Sequence, residues 1–86
     1  MEIVLSKTAL SHIEYWKRTN NVAIQQRIIE LKNAILQEPY KGIGKPEPLK
    51  HQLTGKWSRR IDKANRFVYA IVDNQLHIYS LKGHYN

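Results

Sequence analysis

The sequence predicts a small α+β domain in which two N-terminal helices pack on a mainly antiparallel sheet. Three observations support this fold class. Apolar residues recur at helical spacing in the first forty residues, they alternate with polar residues after Trp57, and 86 residues suffice for one core. The predicted order of elements is β-α-α-β-β-β. We expect the helices to cover one face of the sheet and to leave the other open to a ligand.

Two capped helices are predicted to follow a short N-terminal strand. The strand, residues 2–5, is rich in branched apolar residues, and Ser6 is suited to cap the next helix. Apolar residues recur at helical spacing in that helix, namely Ala9, Ile13 and Trp16. The second helix has an asparagine cap, Asn20 or Asn21, and ends before Pro39. Its apolar stripe at i, i+4, i+7 and i+11 consists of Ile24, Ile28, Leu31 and Ile35.

The second half is predicted to contain a long loop and three strands. Glycines and prolines make residues 40–55 irregular, and loops this long are uncommon in compact domains unless they have a function. From Trp57 onward the apolar period changes to two. Strands are predicted at 57–61, 66–72 and 75–81, with a tight type I′ turn at Asp73-Asn74.

The composition excludes several classes of protein. The 42% hydrophobic and 24% charged fractions are typical of a globular domain, and no apolar run is long enough to span a membrane. The absence of cysteine excludes a disulfide framework, a thiolate nucleophile and a cysteine-containing zinc site. The first residues lack the pattern of an export signal, so we expect a cytoplasmic protein. A single domain over 1–86 is small enough to be marginally stable alone, which favours a partner or self-association.

The net charge of +7 is concentrated in the second half of the chain. Residues 1–40 contain five basic and four acidic residues, whereas 41–86 contain nine basic and three acidic ones, so the two parts carry +1 and +6. A potential concentrated in this way favours a polyanionic partner, and nucleic acid is the commonest one in the cytoplasm. A basic surface that is merely solvated explains the charge count about as well.

Glu47 stands between Pro46 and Pro48. A proline disfavours the α region for the residue before it, so both Lys45 and Glu47 should be extended. The stiff backbone should then give the carboxylate a defined direction, as a catalytic group requires. A surface turn with a solvated carboxylate is the alternative, and for this segment in isolation it is the better one.

Arg59 and Arg60 are adjacent in a predicted strand, so their side chains point to opposite faces of the sheet. Arg60 shares a face with Ser58 and is the better candidate for a phosphate ligand. Arg59 shares the core face with Trp57 and Ile61, and we expect its guanidinium to extend past the edge of the core. Charges that protect an edge strand from aggregation are a competing interpretation for both.

Several residues have side chains suited to a phosphodiester. Arg66, at the start of a strand, can hold phosphate oxygens with two donors at once. His84 can transfer a proton near neutral pH, and Tyr85 can stack on a base or donate to a phosphate. A histidine so close to a terminus is more often part of a frayed end. The histidines have no metal-ligand spacing, so we assign no metal, and His51 is a candidate RNA contact.

Four segments together closely resemble the YoeB/Txe family of bacterial toxins within the RelE-like superfamily: KGIGKPEPLKHQLTGKWSRRI, RFVYAI, the terminal HY and Tyr15-Trp16. The resemblance extends over essentially the whole chain. It implies a RelE-like microbial ribonuclease-like fold and an endoribonuclease that cleaves mRNA in the A site of the 70S ribosome. It also implies a homodimer and neutralisation by a cognate YefM-like antitoxin whose C-terminal segment covers the toxin.

The same resemblance implies a role for individual residues. Glu47 matches the family's general base, His84 its general acid and Arg66 its phosphate-stabilising arginine. Three more positions match residues near the scissile phosphate: Lys50, Arg60 and Tyr85. RNA cleavage without a metal needs a base for the 2′-OH proton, cations for the phosphorane and an acid for the leaving 5′ oxygen. No cofactor is implied.

Two alternative functions stay open. A non-catalytic RNA-binding module would need only the basic half of the chain and its tryptophan and tyrosine residues. A co-repressor that acts with an antitoxin on operator DNA would have to leave sequence recognition to that partner, because no helix-turn-helix pattern is present.

Overall fold

Two helices and a five-stranded sheet build the structure, a computed structural model that describes residues 1–84. In chain order the elements are β1 (Glu2–Leu5), α1 (Lys7–Arg18), α2 (Val22–Gln37), β2 (Glu47–Pro48), a 3₁₀ helix (His51–Leu53), β3 (Trp57–Arg60), β4 (Arg66–Val72) and β5 (Gln75–Ser80). The predicted α+β class is confirmed. The predicted order lacks one strand, because the loop predicted as irregular contains β2 and the 3₁₀ helix.

Strand β2 is only two residues long and lies at the edge of the sheet. Glu47 is opposite Ser58 and Pro48 is opposite Trp57, in antiparallel pairing with β3. Pro48 has no N–H to donate, which restricts such a segment to an edge position. An alternation of apolar and polar residues cannot be recognised over two residues, so periodicity did not indicate this strand.

The strands are arranged in the order β1-β5-β4-β3-β2. Strand β1 pairs with β5 in parallel, and the other neighbouring pairs are antiparallel, so the mainly antiparallel sheet is confirmed. The β4–β5 hairpin closes through Asp73 and Asn74, which both have positive φ (50° and 59°). A type I′ turn requires positive φ at both of its central residues, so this prediction is also confirmed.

Both helices begin at a side-chain cap. Ser6 Oγ accepts a hydrogen bond from the Ala9 N–H (3.0 Å), and Asn21 Oδ1 accepts one from the Ile24 N–H (3.2 Å). Asn21 rather than Asn20 is therefore the cap of α2. Asn20 instead turns the chain between the helices with a φ of 57°. The end of α2, two residues before the proline, agrees with the prediction.

The core lies between the helices and one face of the sheet. Its buried members are Ala9, Trp16, Ile24, Leu31, Ile35, Ile61, Phe67, Tyr69, Leu76, Ile78 and Leu81. In β4, Phe67 and Tyr69 point to the helices, so Arg66, Val68 and Ala70 point to the opposite face. That opposite face carries the candidate site. Within residues 1–84, no helix is both long enough and apolar enough to cross a membrane.

Candidate active site

A cleft of about 450 Å³ opens on the face of the sheet that the helices leave uncovered. It is lined by Lys45, Pro46, Glu47, Ser58, Arg60, Arg66 and His84. Four residues singled out in the sequence, Glu47, Arg60, Arg66 and His84, therefore meet in one place although they are distant along the chain. The expectation that the open face would offer room for a ligand agrees with this geometry.

Strand β2 and the turn before it place Glu47 at the cleft. Pairing with Ser58 holds the Glu47 backbone extended beside β3, as its neighbouring prolines predict. Lys45 was also predicted to be extended, and that prediction is wrong, since its φ is 54°. The turn between Gly44 and β2 imposes a left-handed backbone on Lys45 that local preference alone would avoid. A sharp turn at Lys45, followed by the short extended strand β2, therefore positions Glu47 at the cleft.

Arg60 and Arg66 lie directly opposite each other on β3 and β4. Like charges at opposed positions destabilise a sheet, so a bound anion would relieve the repulsion between the two guanidinium groups. The Arg66 guanidinium is oriented through Nη1, which donates to three carbonyl oxygens, those of Asp62 (2.8 Å), Asn65 (3.2 Å) and Lys63 (3.3 Å). Both arginines line the cleft, and guanidinium groups are suited to an anion such as phosphate.

The loop that follows β3 holds the segment carrying His84. The Gly83 N–H donates to Asn65 Oδ1 (2.8 Å), and the Arg66 N–H donates to the Gly83 carbonyl oxygen (3.0 Å). His84 Nε2 lies 3.2 Å from the Lys63 carbonyl oxygen. The chain is therefore anchored up to His84, in contrast to the frayed end that its position near the terminus suggests.

Asn65 is a site-forming residue that the sequence did not single out. It is largely buried, and its side-chain and main-chain N–H groups both donate to Asp62 Oδ1 (3.0 Å and 2.8 Å). An aspartate followed three residues later by an asparagine between two strands is a turn signal that could have marked this loop. No local sequence pattern indicates the contact between Asn65 and Gly83, which are 18 residues apart.

Lys50 and His51 line a different concavity. Both residues are exposed, and they lie along the segment 47–53, which borders the cleft at Glu47. His51 begins the 3₁₀ helix with a φ of 59°. Their assignment to substrate binding stays a prediction. Tyr85 lies outside the described residues, and its assignment also stays a prediction.

The expectation that Arg59 extends past the edge of the core is wrong. Its side chain is fully buried, at 0% exposure, beneath the segment that follows α2. The alternation of β3 correctly assigned Arg59 to the face covered by the helices. It did not indicate that main-chain carbonyl oxygens lie there and accept hydrogen bonds from the guanidinium group. Because these bonds replace those to water, the charged group can be buried.

A groove of about 280 Å³ lies between the two helices and the β1 edge of the sheet. Its lining is almost entirely apolar and includes Ile3, Leu5 and Ile29, which are 41%, 41% and 55% exposed. Lys17 and Lys32 also line it. An exposed apolar groove with a charged rim is typical of a surface that another chain covers.

The cleft contains the types of chemical group that proton transfer and charge stabilisation require. It combines a carboxylate, an imidazole and two guanidinium groups, which suits acid–base reactions on an anionic substrate. Among residues 1–84, no group of three or more histidine, aspartate or glutamate side chains could hold a metal ion.

Solved structures that superpose on this chain include bacterial toxins of the YoeB type. A YoeB/ParE toxin from Agrobacterium tumefaciens superposes with a TM-score of 0.95 at 34% identity, over 99% of this chain and 100% of the other. The toxin in the YoeB-YefM complex from Staphylococcus aureus superposes with a TM-score of 0.89 at 41% identity, over 99% and 98%. A YoeB dimer from the same organism superposes with a TM-score of 0.90 at 40% identity, over 99% of this chain and 98% of the other. The fold is the predicted RelE-like one, and the identity of 34–41% to these relatives places the chain in the class of small bacterial toxins.

The sequence comparison narrows this class to one family. Residues 5–85 match the family model of the YoeB-like toxin of bacterial type II toxin-antitoxin system. The Toxin YoeB of Synechocystis is 48% identical over 79 residues, which cover 91% of this chain and 92% of the relative. The chain belongs to the YoeB-like family of type II toxins, as its motifs predict.

Proposed function

We propose that this toxin is an endoribonuclease that cleaves mRNA in the ribosomal A site and thereby inhibits translation. The observation that carries the proposal is the meeting of Glu47, His84 and the Arg60–Arg66 pair in one open cleft. A protein that only bound RNA would need the two cations but not a carboxylate beside them, because a carboxylate repels phosphate. The cleft therefore fits a reaction at a phosphodiester better than it fits binding alone.

The proposed reaction is a transfer of the phosphoryl group within the RNA strand. Glu47 takes the proton of a ribose 2′-OH, whose oxygen attacks the adjacent phosphorus. The arginine pair stabilises the negative charge of the pentavalent phosphorane. His84 protonates the 5′ oxygen as its bond to phosphorus breaks. The products are a 2′,3′-cyclic phosphate, or its hydrolysed 3′-phosphate, and a fragment with a 5′-hydroxyl. The transfer itself requires no metal or other cofactor.

The ribosome would supply what the isolated cleft lacks. Glu47, Arg60 and His84 are all exposed, so water weakens their electrostatic contacts in the free protein. Docking against the ribosome would exclude water and hold a single RNA strand in the cleft. The +7 charge favours association with ribosomal RNA. Cleavage should therefore be much faster on a ribosome-bound message than on free RNA.

The partners proposed for this toxin are a cognate YefM-like antitoxin and a second copy of the chain. The relatives from Staphylococcus aureus were solved with YefM and as a dimer. The apolar groove supports an antitoxin partner, because an amphipathic segment can bury its apolar face there and place acidic side chains near Lys17 and Lys32. Contact with operator DNA would come only through the antitoxin. The message and the ribosome place this activity in the cytoplasm.

Induced expression in a bacterium, with primer extension on a translated message, tests the activity. The wild type should arrest growth and create new 5′ ends within codons that occupy the A site. Glu47→Gln and His84→Gln should each lower cleavage by about 10²–10⁴-fold, as expected for the loss of an acid–base group. Arg66→Ala should lower it by about 10²–10³-fold, as expected for lost charge stabilisation.

Matched controls separate the chemistry from changes in charge or stability. Glu14→Gln, Arg18→Ala and His77→Gln make the same substitutions outside the cleft, and each should retain cleavage close to that of the wild type. Undiminished cleavage by all three cleft variants would refute the catalytic assignment. Growth arrest that persists without cleavage would favour the RNA-binding module instead.

A further inference from the structure

We propose that Arg59 is the positioning residue for the general base, fixing the loop that delivers Glu47 to the cleft without itself contacting the RNA. The inference rests on the proposed function, because it assigns Arg59 a part in that reaction. Arg59 lies on the helix face of β3, whereas the cleft lies on the other face. The loop whose carbonyl oxygens Arg59 holds connects this buried side chain to Glu47.

The buried guanidinium of Arg59 ties down the main chain between α2 and β2. Nη2 donates to the carbonyl oxygens of Glu38 (2.7 Å) and Lys41 (2.8 Å), and Nη1 donates to that of Ile43 (3.1 Å). Nε donates to the Tyr69 hydroxyl (3.3 Å). Three loop carbonyls within six residues are thus held by one planar group, whose fork geometry matches several acceptors at once.

The position of Arg59 also completes the end of α2. A helix leaves its last carbonyl groups without partners and carries partial negative charge at its C-terminus. Glu38 is the C-terminal cap of α2, and the last turn of this helix contains no basic residue. The guanidinium supplies one such donor, to the Glu38 carbonyl oxygen, and brings positive charge to this helix end from the sheet. In the described part of the chain, the acceptors of the buried Arg59 guanidinium are neutral, namely three carbonyl oxygens and the Tyr69 hydroxyl. Their hydrogen bonds offset the cost of burying the charge.

Tyr69 reinforces the same loop from β4. Its hydroxyl donates to the Pro39 carbonyl oxygen (2.5 Å) while it accepts from Arg59. Burial raises the pKa of Tyr69 above its ordinary value of 10.0, and the hydrogen bond from Arg59 opposes this only in part. The phenol therefore stays protonated and keeps its donor role at neutral pH. Both side chains that fix the loop belong to the sheet that bears the cleft.

A short connection links the anchored loop to the carboxylate. The Arg60 N–H donates to the Gly44 carbonyl oxygen (2.7 Å), immediately after the carbonyl held by Arg59. Only Lys45 and Pro46 separate Gly44 from Glu47. Glu47 is exposed and lies in a two-residue strand, so burial cannot fix its position. The placement of the carboxylate therefore depends on two features, the pairing of Glu47 with Ser58 and the loop that Arg59 holds.

The test is the single-turnover cleavage rate on ribosomes programmed with a message in the A site, measured for Arg59→Lys and Arg59→Met. A displacement of about 1 Å at a reacting group costs on the order of 10²-fold in rate, so we expect about a tenfold loss for lysine and a 100-fold loss for methionine. Lysine rescues in part because it keeps the charge but not the fork. The protein concentration at half-saturation should change by less than about twofold, since the cleft cations are intact.

Leu76→Val is the matched control for stability. Leu76 is fully buried on β5, two strands away from Arg59, and its truncation destabilises the core without touching the loop contacts. Unfolding in urea shows which variants are equally destabilised. A purely structural Arg59 predicts the same rate per folded molecule for all of them. If Arg59→Lys does not fold, Tyr69→Phe, which removes only the phenol hydroxyl, takes its place.

Combining variants shows whether Arg59 acts through Glu47. In a Glu47→Gln background the base is already lost, so Arg59→Lys should lower the residual rate by less than about twofold. The inference would be overturned if Arg59→Lys still lowered the rate tenfold in the Glu47→Gln background. It would also be overturned if Arg59→Lys and a Leu76→Val variant of equal stability lost the same cleavage rate. If Glu47→Gln itself cleaved like the wild type, the proposed function would fail instead. If its residual rate is too low to measure, the comparison of Arg59→Lys with Leu76→Val decides.

Discussion

Replacing Gly44 with alanine should destabilise the protein through two separable effects. Gly44 has a φ of +83°, where a residue with a Cβ costs roughly 1–2 kcal/mol. A Cβ built there would also lie 2.8 Å from Leu31 Cδ2 and 3.1 Å from Arg59 Cβ. Leu31 and Arg59 are fully buried, so neither can move into solvent. Overpacking of this kind costs about 1–3 kcal/mol, which brings the expected loss to about 2–5 kcal/mol before the gain of about 0.4–1 kcal/mol from a less flexible unfolded chain is subtracted.

Gly55→Ala is the control that isolates the packing effect. Gly55 has a comparable φ of +96°, but a Cβ there meets nothing within 4 Å. Both variants share the backbone cost and the gain from a less flexible unfolded chain, which is about 0.4–1 kcal/mol. The difference between them should therefore be the packing effect alone, about 1–3 kcal/mol.

Equilibrium unfolding in urea, followed by far-ultraviolet circular dichroism, measures both variants. The total free energy of unfolding for 86 residues is roughly 4–13 kcal/mol, so the Gly44 variant should lose a large part of it. An equal loss in the two variants would refute the reasoning. It would mean that the loop over Leu31 and Arg59 yields freely, and that the close contact at Gly44 does not restrain the segment leading to Glu47.

Two further substitutions test contacts outside the catalytic residues. Burial, with a smaller effect of the Lys82 charge, holds the pKa of His12 below its ordinary 6.5, and its Nδ1 accepts from the Leu81 N–H (3.0 Å). The unfolded chain then binds more protons, so the free energy of unfolding should fall as the pH drops below about 6.5. His12→Asn should lose most of this dependence in urea titrations at pH 5.5 and 7.5, and an unchanged dependence would assign it to other groups. Asn65→Ala removes the acceptor of the Gly83 N–H and should cost about 1–3 kcal/mol of unfolding free energy. It should also lower the rate of RNA cleavage, and stability lost without any change in that rate would show that the C-terminal segment holds its place without Asn65.

Elements with a strong local signal were predictable from the sequence. The bounds of β4 coincide with the predicted 66–72, and the caps and the hairpin turn follow from the chemistry of single residues. The predicted strands 57–61 and 75–81 each extend one residue too far. The Ile61 N–H donates to the Asn65 carbonyl oxygen, and the Leu81 N–H donates to His12 Nδ1, so both residues bond outside the ladder. Apolar alternation cannot detect such a departure.

By itself the sequence determined the fold class, the family and the chemical types available for a reaction at phosphate. These follow from periodicity, turn residues and motifs that are contained in short stretches of chain. Tertiary structure alone decided how Glu47, Arg66 and His84 come together and what holds them there. Alternation assigned Arg59 to the helix face, but its burial depends on carbonyl oxygens sixteen to twenty-one residues away. Those oxygens are in place only because α2 ends over β3, which no local pattern specifies.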